Sequence, residues 1–289
     1  MRIKRDVYDI FNIIGKNKNI DEYIEIFESL VIIKRTPIFT TRYYLGHILL
    51  VLNTVTKWEG LKLILDKNST EWHYRTIEKK HLEWSKLKLY EKAYKIMNKK
   101  HNQTNFKDTD ELDMYIDTAN IYNKNGSEQT GYGINPKKKE SRITCICDNN
   151  KNIHALSLIP TIKKTKTKNT FPHDSHTIEY TLNDLKTTNP KFKVLNIIGD
   201  KGYCRTLKDK NMFKEQGIIL RYPNRKNQKA KTTEETKEFL KRRYLIENVF
   251  ADLKRYNRIC IRKDKLECTY TGFLYLGAVL NFKTNNHVV

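Results

Sequence analysis

The feature that most constrains the fold is a change in the spacing of apolar residues near residue 110. Before this point apolar residues recur every three or four positions, as in Asp21–Leu30, which is typical of amphipathic helices. After it, short β-rich runs alternate with helical segments, which predicts a mixed sheet with helices on its faces. We therefore expect an all-helical N-terminal domain over residues 1–104 and an α/β domain over residues 105–289. The boundary falls in the polar stretch Asn98–Asp110.

Five strands are predicted in the α/β part, and two of them end at an aspartate. The first strand, Leu112–Ile116, ends at Asp117, and the fourth, Val194–Ile198, is followed by Gly199 and Asp200. The other predicted strands are Arg142–Cys147, Ile153–Ile159 and Ile218–Tyr222, with a hairpin turn at residues 148–150 between the first two of these. The predicted helices cover residues 174–186, 207–216, 233–256 and 273–282.

The N-terminal part contains two helical segments joined by the polar turn Asp66–Thr70. The second segment, Ser69–Trp84, starts near Asn68 and Glu71, a pair with the logic of a capping box. This arrangement is compatible with a helix-turn-helix DNA-binding region. An ordinary helical hairpin fits the spacing equally well.

Three acidic residues are candidates for a shared site. Ligands of open α/β sheets bind at the carboxyl ends of strands, where Asp117 and Asp200 lie, and Glu247 lies inside the predicted long helix. Converging carboxylates repel one another unless cations lie among them, and such oxygen ligands suit Mg²⁺. Two ions about 4 Å apart can support phosphodiester chemistry. Both aspartates are also common strand-end turn residues, and Asp113 is a rival for the first position.

Basic residues flank the third acid along the predicted helix. Arg243, Lys254 and Arg258 fall within about 40° of Glu247 if the helix continues to Arg258. Arg243 and Glu247 could also form an ordinary ion pair between residues four apart. In the first case the same stripe of the helix carries the acid and its basic neighbours.

The net charge of +22 indicates a polyanionic partner. Basic residues cluster in runs in the same half of the chain as the acids, and we predict that they contact the phosphates of a nucleic acid. A lysine-rich composition inherited from an AT-rich genome is the alternative explanation. The candidate DNA-binding residues are Lys137, Lys138, Lys139, Lys163, Lys164, Lys201, Arg225, Lys226 and Arg258.

Cysteine usage and hydropathy predict an intracellular protein without a membrane span. Five cysteines are an odd number and no signal peptide is recognised, so reduced thiols are expected. Cys145 and Cys147 form the only close pair, with no second pair to complete a zinc set. The apolar stretch Tyr43–Leu52 is too short to cross a bilayer.

Several local motifs resemble those of DDE transposases of insertion sequences, of the type grouped with insertion sequences four and five. Ile198–Tyr203 (IGDKGY) is the sharpest match and resembles the motif of the second acid. Tyr115–Thr118 resembles the motif of the first acid, and Arg242–Lys254 resembles that of the third. Other similar segments are Tyr132–Asn135 with the following lysines, Phe171–Ser175, which resembles a His-Asp-Ser motif, and Tyr270–Leu276. The motifs occur in order between Asp113 and Phe282.

This resemblance implies an RNase H-like fold and two divalent ions, Mg²⁺ or Mn²⁺, bound by Asp117, Asp200 and Glu247. It also implies support from Arg243 and Lys254, double-stranded DNA as the partner (element ends and target), and it allows a homodimer on DNA. Leu240 stands where many relatives have a tyrosine. The expected activity is cutting and joining DNA at element ends. An inactive DNA-binding relic and a nuclease of the same fold are the alternatives. The protein is expected wherever that DNA resides: cytoplasm or nucleoid, nucleus, or viral factory.

Overall fold

The computed structural model describes residues 18–32, 39–54, 57–63, 72–105, 111–132, 138–163, 169–188, 194–224 and 232–283. Every structural statement below concerns these residues. The predicted turn Asp66–Thr70 and the capping pair of Asn68 and Glu71 lie outside them.

Helices dominate the N-terminal part, as predicted. They are α1 (Lys18–Leu30), α2 (Thr41–Asn53), a 3₁₀ helix (Trp58–Leu63), α3 (Trp72–Lys86) and α4 (Leu89–Asn105). Thr40 caps α2, because its side-chain oxygen accepts a hydrogen bond from the Tyr43 backbone N–H. Helix α3 corresponds to the helix predicted over Ser69–Trp84. Helix α4 extends to Asn105, into the polar stretch Asn98–Asp110 where the domain boundary was predicted.

Nine strands and six further helices follow. The strands are β1 (Glu111–Asn123), β2 (Gly131–Tyr132), β3 (Lys139–Cys147), β4 (Ile153–Leu158), β5 (Ile162–Lys163), β6 (Asn169–Thr170), β7 (Val194–Ile198), β8 (Ile218–Arg221) and β9 (Ile261–Arg262). The helices are α5 (Asp174–Thr188), α6 (Leu207–Glu215), α7 (Glu234–Lys241), α8 (Tyr244–Lys254), α9 (Asn257–Cys260) and α10 (Glu267–Asn281).

The main sheet has seven strands and is mixed. Its order is β2-β3-β1-β7-β8, with β4 also paired to β3 and β9 to the end of β1. Strands β3 and β4 are antiparallel, whereas β1, β7 and β8 are parallel neighbours. The prediction of a mixed α/β sheet preceded by helices is confirmed, and this arrangement is consistent with the RNase H-like fold.

One face of the sheet is buried under α5 and α6. Alternate residues of β1 (Leu112, Met114 and Ile116) pack with apolar residues of β7, α5 and α6 in a single core cluster. Side chains alternate across a strand, so Asp113, Tyr115 and Asp117 lie on the opposite face. The core thus fixes which face of β1 carries its aspartates.

Contacts divide the chain into two compact units that are not contiguous in sequence. The helical unit combines residues 1–97, 122–128 and 253–281, and the sheet unit combines residues 98–121, 129–252 and 282–289. The C-terminal helix α10 belongs to the helical unit, where His81 of α3 contacts the carbonyl oxygen of Thr269 at 3.1 Å.

Two predicted elements differ from the structure. Strand β1 extends to Asn123, so Asp117 lies within it rather than at its end. The helix predicted over residues 233–256 is two helices, α7 and α8, separated by a turn at Arg242 and Arg243. Within the described part of the chain, no helix has the length and apolar character that spanning a membrane would require.

Candidate active site

Pairing of β1 with β7 brings two of the candidate acids to the same level of the sheet. The parallel register pairs Tyr115 with Ile198. Asp117 and Asp200 each lie two residues beyond this pair, Asp117 within β1 and Asp200 in the turn after β7, and the Asp200 charge is close enough to raise the pKa of Asp117. The first and fourth predicted strands, β1 and β7, are thus neighbours in the sheet.

The environment of Asp117 is unfavourable for its negative charge. Burial raises the pKa of this carboxyl from 3.8 to about 6, and the nearby charges of Asp200 and Asp174 add to the increase. The Thr118 backbone N–H, which donates to Asp117 Oδ1 at 2.8 Å, and the Arg243 guanidinium oppose it. The pKa of Asp117 thus indicates a cluster of carboxylates with incomplete charge compensation.

A third aspartate, Asp174, belongs to this cluster. It is the first residue of α5, and its Oδ1 accepts hydrogen bonds from the Thr118 hydroxyl at 2.9 Å and from Arg142 Nη2 at 2.6 Å. Arg142 also donates to the Thr118 hydroxyl at 2.8 Å. Because Thr118 in turn donates to Asp117, this network links the start of α5 to the first candidate acid.

Asp200 is held by the turn that follows β7. Its Oδ1 accepts a hydrogen bond from the Gly202 backbone N–H at 2.7 Å, which caps a short 3₁₀ helix over Lys201–Tyr203. A Cβ at Gly202 would lie 2.7 Å from Asp200 Oδ1 and 3.0 Å from Asp174 Oδ2. Only glycine fits between these carboxylates without displacing them.

Arg243 connects the aspartates to Glu247. Its guanidinium donates to Glu247 Oε1 at 2.6 Å and lies 3.9 Å from Asp117 Oδ2. Glu247 is in the first turn of α8, where the helix dipole favours a negative charge, and 56% of its side chain is exposed. The structure thus brings together Asp117, Asp174, Asp200 and Arg243, with Glu247 joined to them through the arginine.

The condition that this helix continues to Arg258 is not met. Helix α8 ends at Lys254, which is exposed, and Arg258 lies in the separate helix α9. Arg258 is only 4% exposed and donates to Asp264 at 3.0 Å. A buried arginine paired with an aspartate cannot contact DNA phosphates in this conformation, so we withdraw that role for Arg258.

The other basic candidates are only partly described. Lys138, Lys139 and Lys201 are exposed, and the backbone of Lys163 belongs to β5. The remaining four candidates lie outside the described residues: Lys137, Lys164, Arg225 and Lys226. Contact of these residues with DNA stays a prediction.

The carboxylates of Asp117, Asp200 and Glu247 are chemically suited to a divalent cation, although they do not surround a common point in the structure. In the described ranges, no three His, Cys, Asp or Glu side chains form a group that could hold an ion. Arg243 lies between Asp117 and Glu247, and carboxylate oxygens are the ligands that Mg²⁺ and Mn²⁺ prefer. The raised pKa of Asp117 fits a site that a cation would stabilise.

The mixed sheet with helices on its faces is consistent with the RNase H-like fold of DNA-processing enzymes. Residues 116–281 match the transposase DDE domain family. This match covers more than half of the chain, and the chain belongs to that family. Comparison with curated proteins and with solved structures gave no significant match.

Family membership supports transposase-type cleavage and joining of DNA as the general activity. Transposases of this family cleave and join DNA and generally use divalent metal ions, so DNA is the substrate of this chain. The narrower likeness to insertion sequences four and five stays a prediction, as do the individual roles of the site residues.

Sequence reasoning missed the contribution of Thr118, Arg142 and Asp174. The sequence placed Asp174 only at the start of a predicted helix, and Arg142 only at the start of a predicted strand. The available signal was the resemblance of Phe171–Ser175 to a family motif, which marks Asp174 without stating what it contacts.

Proposed function

We propose that this protein is a transposase that cuts and joins DNA at the ends of a mobile element, with Asp117, Asp200 and Glu247 as its essential acids. The observation that supports the proposal is the pairing of β1 with β7, with Asp200 close enough to raise the pKa of Asp117, together with the Arg243 bridge to Glu247. Asp113, the rival for the first position, instead accepts a hydrogen bond from Asn196 at 2.8 Å. Its partner within the sheet argues against Asp113 as a site residue.

Asp117, Asp200 and Glu247 would hold two divalent ions, Mg²⁺ or Mn²⁺. Such ions activate an attacking oxygen and stabilise the leaving oxygen of a phosphodiester. The role of Arg243 is to neutralise Asp117 and Glu247, and the Thr118–Asp174–Arg142 network orients Asp117. Lys254 would add a positive charge near the DNA at the end of α8.

The basic residues of the sheet unit would position DNA through its phosphates. Lys138, Lys139 and Lys201 are exposed, and Lys201 directly follows Asp200. Phosphate contacts fix the register of DNA but carry no sequence information. The helices of residues 1–104 would select the element ends, and two copies of the chain would hold two ends as a homodimer.

The test is strand cleavage and transfer on labelled duplex DNA that contains the element ends, with Mg²⁺ or Mn²⁺. We expect Asp117→Asn, Asp200→Asn and Glu247→Gln each to abolish both reactions while DNA affinity in EDTA is retained. The matched control is Asp113→Asn, four residues earlier on the same face of β1. It should keep most of the activity.

Three results would contradict the proposal in different ways. Activity that survives Asp200→Asn or Glu247→Gln refutes the assigned acids. Salt-sensitive DNA binding by the wild-type protein, without metal-dependent cleavage of its own element ends, identifies an inactive relic. Cleavage without joined products identifies a nuclease of the same fold.

A further inference from the structure

The helical unit contains a cleft of about 820 Å³ that none of the acids at 117, 200 and 247 lines. Its walls come from the 3₁₀ helix, α3, the turn after β1 and the segment after β9. Seven basic and three acidic side chains line it, which leaves a formal charge of +4. The size and charge of the cleft indicate an anionic ligand.

The floor of the cleft is neutralised internally. Arg258 and Asp264 are both buried and pair at 3.0 Å. The Arg258 guanidinium also lies over the rings of Trp58 and Phe273, at 5.7 and 5.5 Å from their centroids. These contacts fix Arg258 in place, so the excess positive charge belongs to the rim.

The rim carries lysines that have no acidic partner. Lys57, Lys124 and Lys263 form no ion pair with any acid of the described ranges, and Lys57 and Lys124 are exposed. Burial lowers the pKa of Lys263, and repulsion from Lys124, Arg258 and Lys57 lowers it further. These positive charges are therefore close enough to repel one another, and a ligand bearing several anionic oxygens would relieve that repulsion.

The backbone of DNA is the polyanion that fits these observations best. The chain belongs to a family that acts on DNA, and each phosphate neutralised by a lysine releases bound counterions. We propose that Lys57, Lys124 and Lys263 form a phosphate clasp in this cleft, which holds the DNA backbone. The clasp combines residues far apart in sequence, and none of the basic runs recognised from the sequence contains them. This proposal depends on the proposed function in one respect, which is that the anionic ligand of the cleft is DNA.

The experiment measures binding of the full-length protein to a fluorescent duplex by anisotropy, in EDTA and at several salt concentrations. In the triple variant Lys57→Gln, Lys124→Gln, Lys263→Gln, the plot of log association constant against log salt concentration should become less steep, its negative slope shrinking by about 2 to 3. Its affinity at physiological salt should fall about 10- to 100-fold. Because cleavage is not measured, failure of the catalytic assignment would leave this result unaffected.

The matched control removes three exposed lysines of the same unit that do not line the cleft: Lys86→Gln, Lys88→Gln, Lys92→Gln. It removes the same charge and should change the slope by less than about 1. Equal thermal melting of both triple variants and the wild type shows that the fold is retained.

A second measurement locates the DNA on the protein. Acetylation of lysines, followed by mass spectrometry, should show that DNA protects residues 57, 124 and 263 but not residues 86, 88 and 92. Equal slopes for the two triple variants, or no protection of the clasp, would overturn the proposal. If inorganic phosphate protects the three lysines and duplex DNA does not, the ligand is a small phosphate and the DNA assignment fails.

Discussion

Acid should weaken the helical unit through a single buried histidine. His81 of α3 is 1% exposed. Its Nδ1 lies 2.9 Å from the Tyr90 hydroxyl, and its Nε2 lies 3.1 Å from the Thr269 carbonyl oxygen. Its ring also packs against Phe273, with centroids 4.3 Å apart. Protonation would place a charge among these groups, and burial accordingly lowers the pKa of His81 from 6.5 to about 3.

The direction and size of the effect follow from this pKa. Between about pH 3 and 6.5 the unfolded chain binds a proton at His81 and the folded chain does not, so stability is lost as pH falls through that window. At pH 5 the loss from His81 should be about 2 kcal/mol relative to pH 8, and it approaches about 5 kcal/mol once both states are titrated.

Tryptophan fluorescence offers an assay specific to this unit. The chain has three tryptophans, at positions 58, 72 and 84, and all of them lie in the helical unit. We would follow urea unfolding by this signal at pH 8 and pH 5 for the wild type and for His81→Gln. The wild type should lose about 2 kcal/mol more than the variant between the two pH values.

The variant removes the contributions of other groups from this comparison. Asp117, for example, has a raised pKa, so its protonation stabilises the folded state as pH falls. This contribution opposes that of His81. The exposed His176→Gln serves as a control and should follow the wild type. The same pH dependence in the wild type and in His81→Gln would refute the reasoning.

Three further changes test other parts of the structure. Asp174→Asn should reduce strand cleavage about 10- to 100-fold with unchanged DNA affinity in EDTA, because it weakens the network that orients Asp117; full activity would exclude a positioning role. Gly202→Ala should reduce cleavage at least about tenfold, since its Cβ would push on two carboxylates, while the melting temperature stays near that of the wild type. Asp264→Ala should lower the free energy of unfolding by about 3 kcal/mol, because Arg258 remains buried without its partner; a urea-measured loss below about 1 kcal/mol would contradict this.

The elements with strong local signals could be predicted from the sequence. Val194–Ile198 is an unbroken apolar run and forms β7 over the same residues. The turn at residues 148–150 joins β3 and β4 as an antiparallel pair. The helix predicted to start at Asp174 does begin there, as α5. In each case the residues that decide the structure are neighbours in the chain.

Features set by distant contacts could not be predicted in this way. Residues 233–256 contain no glycine or proline, yet the helix breaks where the Arg243 N–H bonds to the Leu240 carbonyl and the Ile246 N–H to the Arg243 carbonyl, each three residues back. Helix α7 is instead held by Arg221 of β8, which pairs with Glu235 at 2.8 Å. Arg221 and Glu235 both lie several residues or more before the break at Arg242 and Arg243.

The candidate site shows the same division. The alternating pattern of elements predicted a mixed sheet, but the pairing of β1 with β7 that brings Asp117 toward Asp200 comes from the structure. The links among Thr118, Arg142 and Asp174 join residues up to 56 positions apart, and no periodicity reports them.

The arginine between Asp117 and Glu247 also affects how the protein can assemble. A chain whose carboxylates depended wholly on a bound dication would fold poorly whenever that ion was scarce. Here the guanidinium supplies an internal counter-charge, so the backbone can reach its final shape first. Under the proposed assignment, ion loading would be an exchange of partners at Glu247, achieved by rotation of exposed side chains rather than by rebuilding of the main chain.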